Sequence, residues 1–133
     1  MKKISGKCLC GSVTFEIPAE LRKVVYCHCS QCLKTHGHFS AYTETADATV
    51  KWLEKSSLTW FESSKKASRG FCSNCGASLF YKLNGSDQIC VAAGCLEQPT
   101  ELTPACHIYI EDASDYYLID DELPKFKSDI NWI

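Results

Sequence analysis

Cys27-His28-Cys29-Ser30-Gln31-Cys32 places three thiols within six residues. Soft donors crowded this closely suit a metal ion. Zinc is the first candidate, because thiolates bind it tightly and it carries no redox chemistry of its own. Three protein ligands also differ in kind from four. Structural zinc sites are closed by four side chains, whereas catalytic ones keep a position for water or substrate. The stretch therefore reads as an open zinc site, and the rest of the chain can be ordered around it.

Two further cysteine pairs lie far apart in sequence. Lys7-Cys8-Leu9-Cys10-Gly11 needs a turn before its thiols converge, and Gly11 supplies the backbone freedom. Cys72-Ser73-Asn74-Cys75-Gly76 has the knuckle shape that wraps a metal with backbone amides aimed at sulfur. Seven motif cysteines divide as four plus three. Cys8, Cys10, Cys72 and Cys75 make a closed structural site of charge about -2, and Cys27, Cys29 and Cys32 make a second site of charge about -1 with one position vacant. A side chain could close that second site: His28, His36, His38, His107, Cys90, Cys95 and Cys106 are the available donors. His28 is expected to point away, since adjacent side chains diverge. His107 reads as a hydrogen-bonded core histidine, and the three scattered cysteines as small buried hydrophobes.

The totals fit this reading. A chain of 133 residues, 45% hydrophobic and 23% charged, makes one globular domain with a core of its own. A net charge of -2, with no basic run longer than Lys65-Lys66, excludes a nucleic-acid surface. Ser5, Gly6 and Lys7 follow the basic start, so no signal peptide is expected, and no segment reaches membrane-spanning length. The expected address is the cytoplasm, where the ten cysteines stay reduced and the short-spaced ones read as metal ligands in preference to disulfides.

Many short extended runs point to an all-β fold. Val13, Phe15 and Ile17 alternate with polar neighbours in a half-buried strand stopped by Pro18. Further extended runs are expected over 22–26, 39–43, 49–53, 58–62, 106–110 and 116–119, with a hairpin of 78–83 and 87–92 around Asn84-Gly85. Leu33 to Gly37 reads as a polar turn or helical stub. The tail from Leu123 to Ile133 reads as irregular.

Gly6-Lys7-Cys8-Leu9-Cys10-Gly11-Ser12-Val13, the Cys27 cluster and Arg69-Gly70-Phe71-Cys72-Ser73-Asn74-Cys75-Gly76 resemble, in order, the glutathione-dependent formaldehyde-activating enzyme family. That family includes the centromere protein V domain. Ala93-Gly94-Cys95-Leu96, His107-Ile108-Tyr109-Ile110 and Leu123-Pro124-Lys125-Phe126 resemble its C-terminal half, so the likeness spans nearly all of one domain, 1–133. The resemblance implies a zinc-bearing β-tent fold of short antiparallel strands with two zinc ions per chain. It assigns Cys8, Cys10, Cys72 and Cys75 to a structural zinc, and Cys27, Cys29 and Cys32 to a catalytic one.

The implied activity joins glutathione and formaldehyde into S-hydroxymethylglutathione, a carbon-sulfur lyase reaction run backwards. The alternative is a non-catalytic zinc-stabilised binding module, as the centromeric relatives suggest. Glutathione carries two carboxylates, so cations near the motifs become candidates. Arg22, Lys23, Lys34 and Arg69 nevertheless read as solvated surface charges. His36 and His38 could shuttle a proton, while Tyr26, Phe39, Tyr42 and Trp60 could wall a pocket but read first as core.

Overall fold

A computed structural model describes residues 2–129 of the chain. Along the sequence it contains β1 (Lys3–Lys7), β2 (Thr14–Pro18), β3 (Val24–Cys27), α1 (Ser30–His36), β4 (Ser40–Ala46), β5 (Lys51–Glu54), β6 (Leu58–Glu62), β7 (Ala67–Cys72), β8 (Ser78–Leu83), β9 (Gln88–Ala92) and β10 (Pro104–Ile108). The strands form two sheets, and the fold is all-β as expected. The smaller sheet runs β1-β2-β5 and the larger β10-β3-β4-β9-β8-β7-β6.

The alternation around β2 decides how the two sheets meet. Val13, Phe15 and Ile17 are fully buried, and they pack on Leu79, Phe80, Ile89 and Val91 of the larger sheet. Phe15 meets Phe80 edge-on at 5.1 Å between ring centroids, and Trp52 lies 5.9 Å from the one and 5.3 Å from the other. Each such buried ring contributes about 2–3 kcal/mol by burial alone. The close pairing of β1 with β2 requires glycine at position 6: a Cβ there would lie 2.3 Å from Phe15 Cζ. A bridge from Gly6 to Leu96 and a hydrogen bond from Glu97 N to Ser5 O (2.8 Å) tie the smaller sheet to the loop after β9.

Several local expectations are corrected. The helical stub expected at 33–37 begins three residues earlier, inside the cysteine cluster, because Cys29 caps the helix: its Sγ accepts from Cys32 N at 3.3 Å. β3 and β10 pair in parallel, so the fold is not antiparallel throughout. The run 116–119 forms no strand. Its polar tips bond to histidine side chains, described below, in place of a backbone ladder. β1 and β7 carry no strand signal in the sequence. Ser5-Gly6-Lys7 offers no apolar alternation, and β7 carries buried Arg69 where a hydrophobe would have signalled a strand. The 123–129 portion of the tail is irregular apart from a bridge at Lys125, and 130–133 lie outside the described residues.

Candidate metal centre

The turn after β1 and the turn after β7 are built alike. Gly11 and Gly76 both adopt left-handed backbone (φ 83° and 78°), which lets each chain fold back over its first cysteine. Gly11 N bonds to Cys8 O at 3.3 Å and Gly76 N to Cys72 O at 2.7 Å. The two turns meet, and the sulfurs of Cys8, Cys10, Cys72 and Cys75 all lie within 4.8 Å of one another. Two of the separations, Cys8 to Cys10 and Cys10 to Cys72, are 3.7 Å. That is far beyond a disulfide bond of about 2.05 Å. It matches the spacing of about 3.8 Å expected for thiolates around a tetrahedral ion with bonds of about 2.3 Å. Val13 N and Cys75 N donate to Cys8 Sγ and Cys72 Sγ at 3.3 and 3.4 Å. Ser57, whose hydroxyl lies 3.3 Å from Cys72 Sγ, is the main influence holding that thiol down to about 6. Such donors stabilise sulfur as thiolate, the form a metal takes.

The second group forms where β3 ends and α1 begins. Cys27 closes the strand, Cys29 caps the helix and Cys32 occupies its first turn, and their three sulfurs again converge within 4.8 Å. Close contact with Cys27 and then Cys32 holds the Cys29 thiol well below its ordinary value. Ser40, opposite Cys27 in the β3–β4 register, donates its hydroxyl to Cys32 Sγ at 3.2 Å. Arg69 reaches the same sulfur with Nη2 at 3.6 Å. Among the described residues no histidine, carboxylate or further cysteine joins this group. Both groups therefore fit a metal ion by donor type and spacing, one with four thiols and one with three.

A row of side chains crosses the larger sheet beside the three thiols. Arg69, Tyr81, Cys90 and Glu44 are successive cross-strand partners on β7, β8, β9 and β4. Together with the three cysteines they line a cavity of about 590 Å³, which Tyr42 and Arg22 also wall. The Arg69 guanidinium stacks over Tyr81 at 5.0 Å. At the far end Arg22 pairs with Glu44 at 3.5 Å and donates to Tyr42 O at 3.1 Å. Burial, followed by the nearby Glu44 carboxylate, pushes the Cys90 thiol up to about 12, so it stays neutral. A more open cleft of about 910 Å³ runs past Cys8 and Cys95 but gathers no comparable set of charged groups.

The structure sorts the remaining candidates. Cys90, Cys95, Cys106 and all four histidines stand apart from both thiol groups. His28 stands apart from the thiols flanking it and His107 is a buried, hydrogen-bonded histidine, both as expected; the two bond to each other. His36 bonds to Tyr42, and His38 to Tyr116. Lys23 and Lys34 are exposed. Arg69 is 7% exposed and Arg22 is half-buried, which corrects their reading as solvated charges. Tyr42 is buried like core and also walls the cavity, whereas Trp60, expected in the core, is 40% exposed and stacks on Phe80 at 6.0 Å. Ser40 was not singled out in the sequence at all. Its signal was its place on the strand following the cluster, legible only once the β3–β4 register is known.

Comparison with known proteins gives this geometry a context. The sequence profile of the glutathione-dependent formaldehyde-activating enzyme family matches residues 3–112. The chain belongs to that family. All seven clustered cysteines fall within the matched span. An uncharacterized lyase of Schizosaccharomyces pombe is 29% identical over 119 residues, covering 88% of this chain and 85% of its own. A crystal structure of a Rhodobacter sphaeroides protein aligns with a TM-score of 0.58 at 24% identity, over 71% of this chain and 88% of that one, which shows a shared fold. Among the described residues no helix is long and apolar enough to cross a membrane.

Proposed function

We propose that the protein is a zinc-dependent carbon-sulfur lyase that forms or cleaves the adduct of a small thiol, glutathione in the first instance, with formaldehyde. Family membership and the lyase-named relative support the reaction class. One observation carries the site assignment: three thiols, joined by no fourth donor among the described residues, open onto a cavity of about 590 Å³, while four others gather in a separate group. Cys8, Cys10, Cys72 and Cys75 would hold a structural zinc, and Cys27, Cys29 and Cys32 a catalytic one. When bound there, zinc supplies a Lewis acid that keeps an incoming thiol ionised at neutral pH.

In the synthetic direction the thiolate sulfur bonds to the aldehyde carbon, the carbonyl π bond opens, and the oxygen takes up the proton that the thiol released. The chain's own groups answer the charge problem this creates. A fourth thiolate raises the negative charge at the site, and both Ser40 Oγ and the Arg69 guanidinium draw charge from Cys32 sulfur. The cavity walls hold the reactants together, which is the main gain available to an addition of this kind. Arg22, at the far end of the row, offers a cation to a substrate carboxylate, and Glu44 beside it an anion to an ammonium group.

The test is turnover of glutathione with formaldehyde by Cys29→Ser. Activity is expected to fall to background while circular dichroism and the four-thiol metal persist. Unchanged turnover in a folded variant contradicts the reading.

A further inference from the structure

Three tight hydrogen bonds run in series beside the Cys27 cluster. His28, fully buried, has Nδ1 2.7 Å from Tyr117 Oη and Nε2 2.8 Å from His107 Nδ1. His107, 4% exposed, has Nε2 2.8 Å from Asp121 Oδ2. A carboxylate only accepts, so His107 Nε2 carries the proton. With both imidazoles neutral, His107 Nδ1 then accepts from His28 Nε2, and His28 Nδ1 accepts from the Tyr117 hydroxyl. Every ring nitrogen is used, each in one tautomer.

The bonds also fasten one segment of chain. Residues 113–126, which form no strand, are clipped to the histidine pair at Tyr117 and again at Asp121. Backbone bonds of 2.9 Å from His107 N to Pro124 O and from Phe126 N to His107 O hold the same segment against β10. His28 N in turn donates to Ile108 O at 3.0 Å. The His28 ring stacks on Tyr117 at 5.6 Å and lies 4.7 Å from Phe39. Ring and backbone of this one residue are therefore fixed from several sides, and its two sequence neighbours are Cys27 and Cys29.

We propose that Asp121, His107, His28 and Tyr117 are positioning residues for the open metal site: their hydrogen-bonded chain holds the backbone between Cys27 and Cys29 so that both sulfurs face one ion. None of the four lines the cavity beside the thiols, so they act through the cysteines and not on the substrate. The chemistry of burial favours such a role. Two imidazoles removed from water cost free energy that a hydrophobic pair of similar size would not, but a fully satisfied polar chain admits a single arrangement. Groups that hydrogen-bond a metal ligand directly are worth about ten- to a hundredfold in metal affinity; this chain acts through the backbone of the residue between two ligands, so the lower end of that range is expected. The inference rests on the reading of Cys27, Cys29 and Cys32 as metal ligands.

Cadmium NMR of the full chain loaded with cadmium separates the two questions, since four-thiol and three-thiol sites resonate apart. The unaltered protein is expected to show both signals. Asp121→Leu, which removes the acceptor, is expected to shift the three-thiol signal, leave the four-thiol signal in place and speed loss of metal from that site to a chelator about tenfold. Tyr117→Phe, which keeps the ring stacked on His28, cuts the other end of the chain and is expected to do the same. It serves if the first variant does not fold. An unmoved three-thiol signal with unchanged metal loss in the folded variants overturns the positioning role. A missing three-thiol signal in the unaltered protein overturns the underlying site assignment, and the positioning role with it.

Discussion

Arg69 Nη2 lies 3.6 Å from Cys32 Sγ, although the two residues stand 37 positions apart and the arginine is 7% exposed. The guanidinium gives up something to be there. Its Nε is buried without a hydrogen-bond partner among the described residues, a cost of about 1–3 kcal/mol. A residue held in this way serves the sulfur it faces. Burial alone would lower the Arg69 pKa, yet the neighbouring Cys32 thiolate raises it above its usual value.

Replacing Arg69 by glutamine is therefore expected to lower metal affinity at the three-thiol group, and turnover with it, by about ten- to a hundredfold. The four-thiol group should be untouched. Arg69→Lys is expected to recover only part of the loss, because an ammonium keeps the charge but not the fork that also reaches Gln31 and Thr35. Chelator competition followed site by site measures both.

Arg22 stands at the other end of the cavity row, paired with Glu44 at 3.5 Å. If its cation meets a substrate carboxylate, Arg22→Met should raise KM for glutathione about tenfold or more while changing kcat little, the pattern of lost ground-state binding. A small uncharged thiol in place of glutathione should be nearly indifferent to the change. Steady-state kinetics with the two thiols makes the comparison.

The buried His28 ring links stability to pH. Burial, reinforced by neighbouring His107, lowers its pKa from 6.5 to about 4. Between those values the unfolded chain binds a proton that the folded chain refuses, so stability falls as pH drops through that window. Above about 6.5 the ring is neutral in both states and contributes no slope. The expected loss by pH 4 is about 3 kcal/mol. Because metal release also occurs in acid, the measured quantity is the difference in denaturant midpoint between the unaltered protein and His28→Gln. The glutamine variant should show the shallower acid slope.

Gly6→Ala tests the approach of β1 to the core. The added methyl would sit 2.3 Å from the Phe15 ring, which Phe80 and Trp52 confine. A loss of about 2 kcal/mol or more is expected. The melting temperature should fall together with retention of metal at the four-thiol group, because Cys8 lies two residues along the same chain.

The sequence made each cysteine turn legible because its spacing is local: Gly11 and Gly76 let the flanking cysteines approach; that the two distant turns share one group follows from the thiol count of four plus three. The β2 alternation was legible for the same reason. What stayed hidden depends on pairing between distant strands. Arg69, Tyr81, Cys90 and Glu44 form a row only through the register of β7, β8, β9 and β4. Arg69 looked solvated because burial of a charge is uncommon unless a partner is present, and its partner is 37 residues away. Tyr116-Tyr117-Leu118 carried the composition of a strand, but Tyr117 spends its hydroxyl on His28. Neither fact can be seen in a short window of sequence.

The central claim is a difference in coordination between two metals, and zinc content combined with X-ray absorption at the zinc edge tests it most directly. The expected result is two zinc ions per chain and an average of about 3.5 sulfurs per zinc, rising to about 4 when glutathione is added. A single zinc per chain, or a sulfur count that glutathione leaves unchanged, would contradict it.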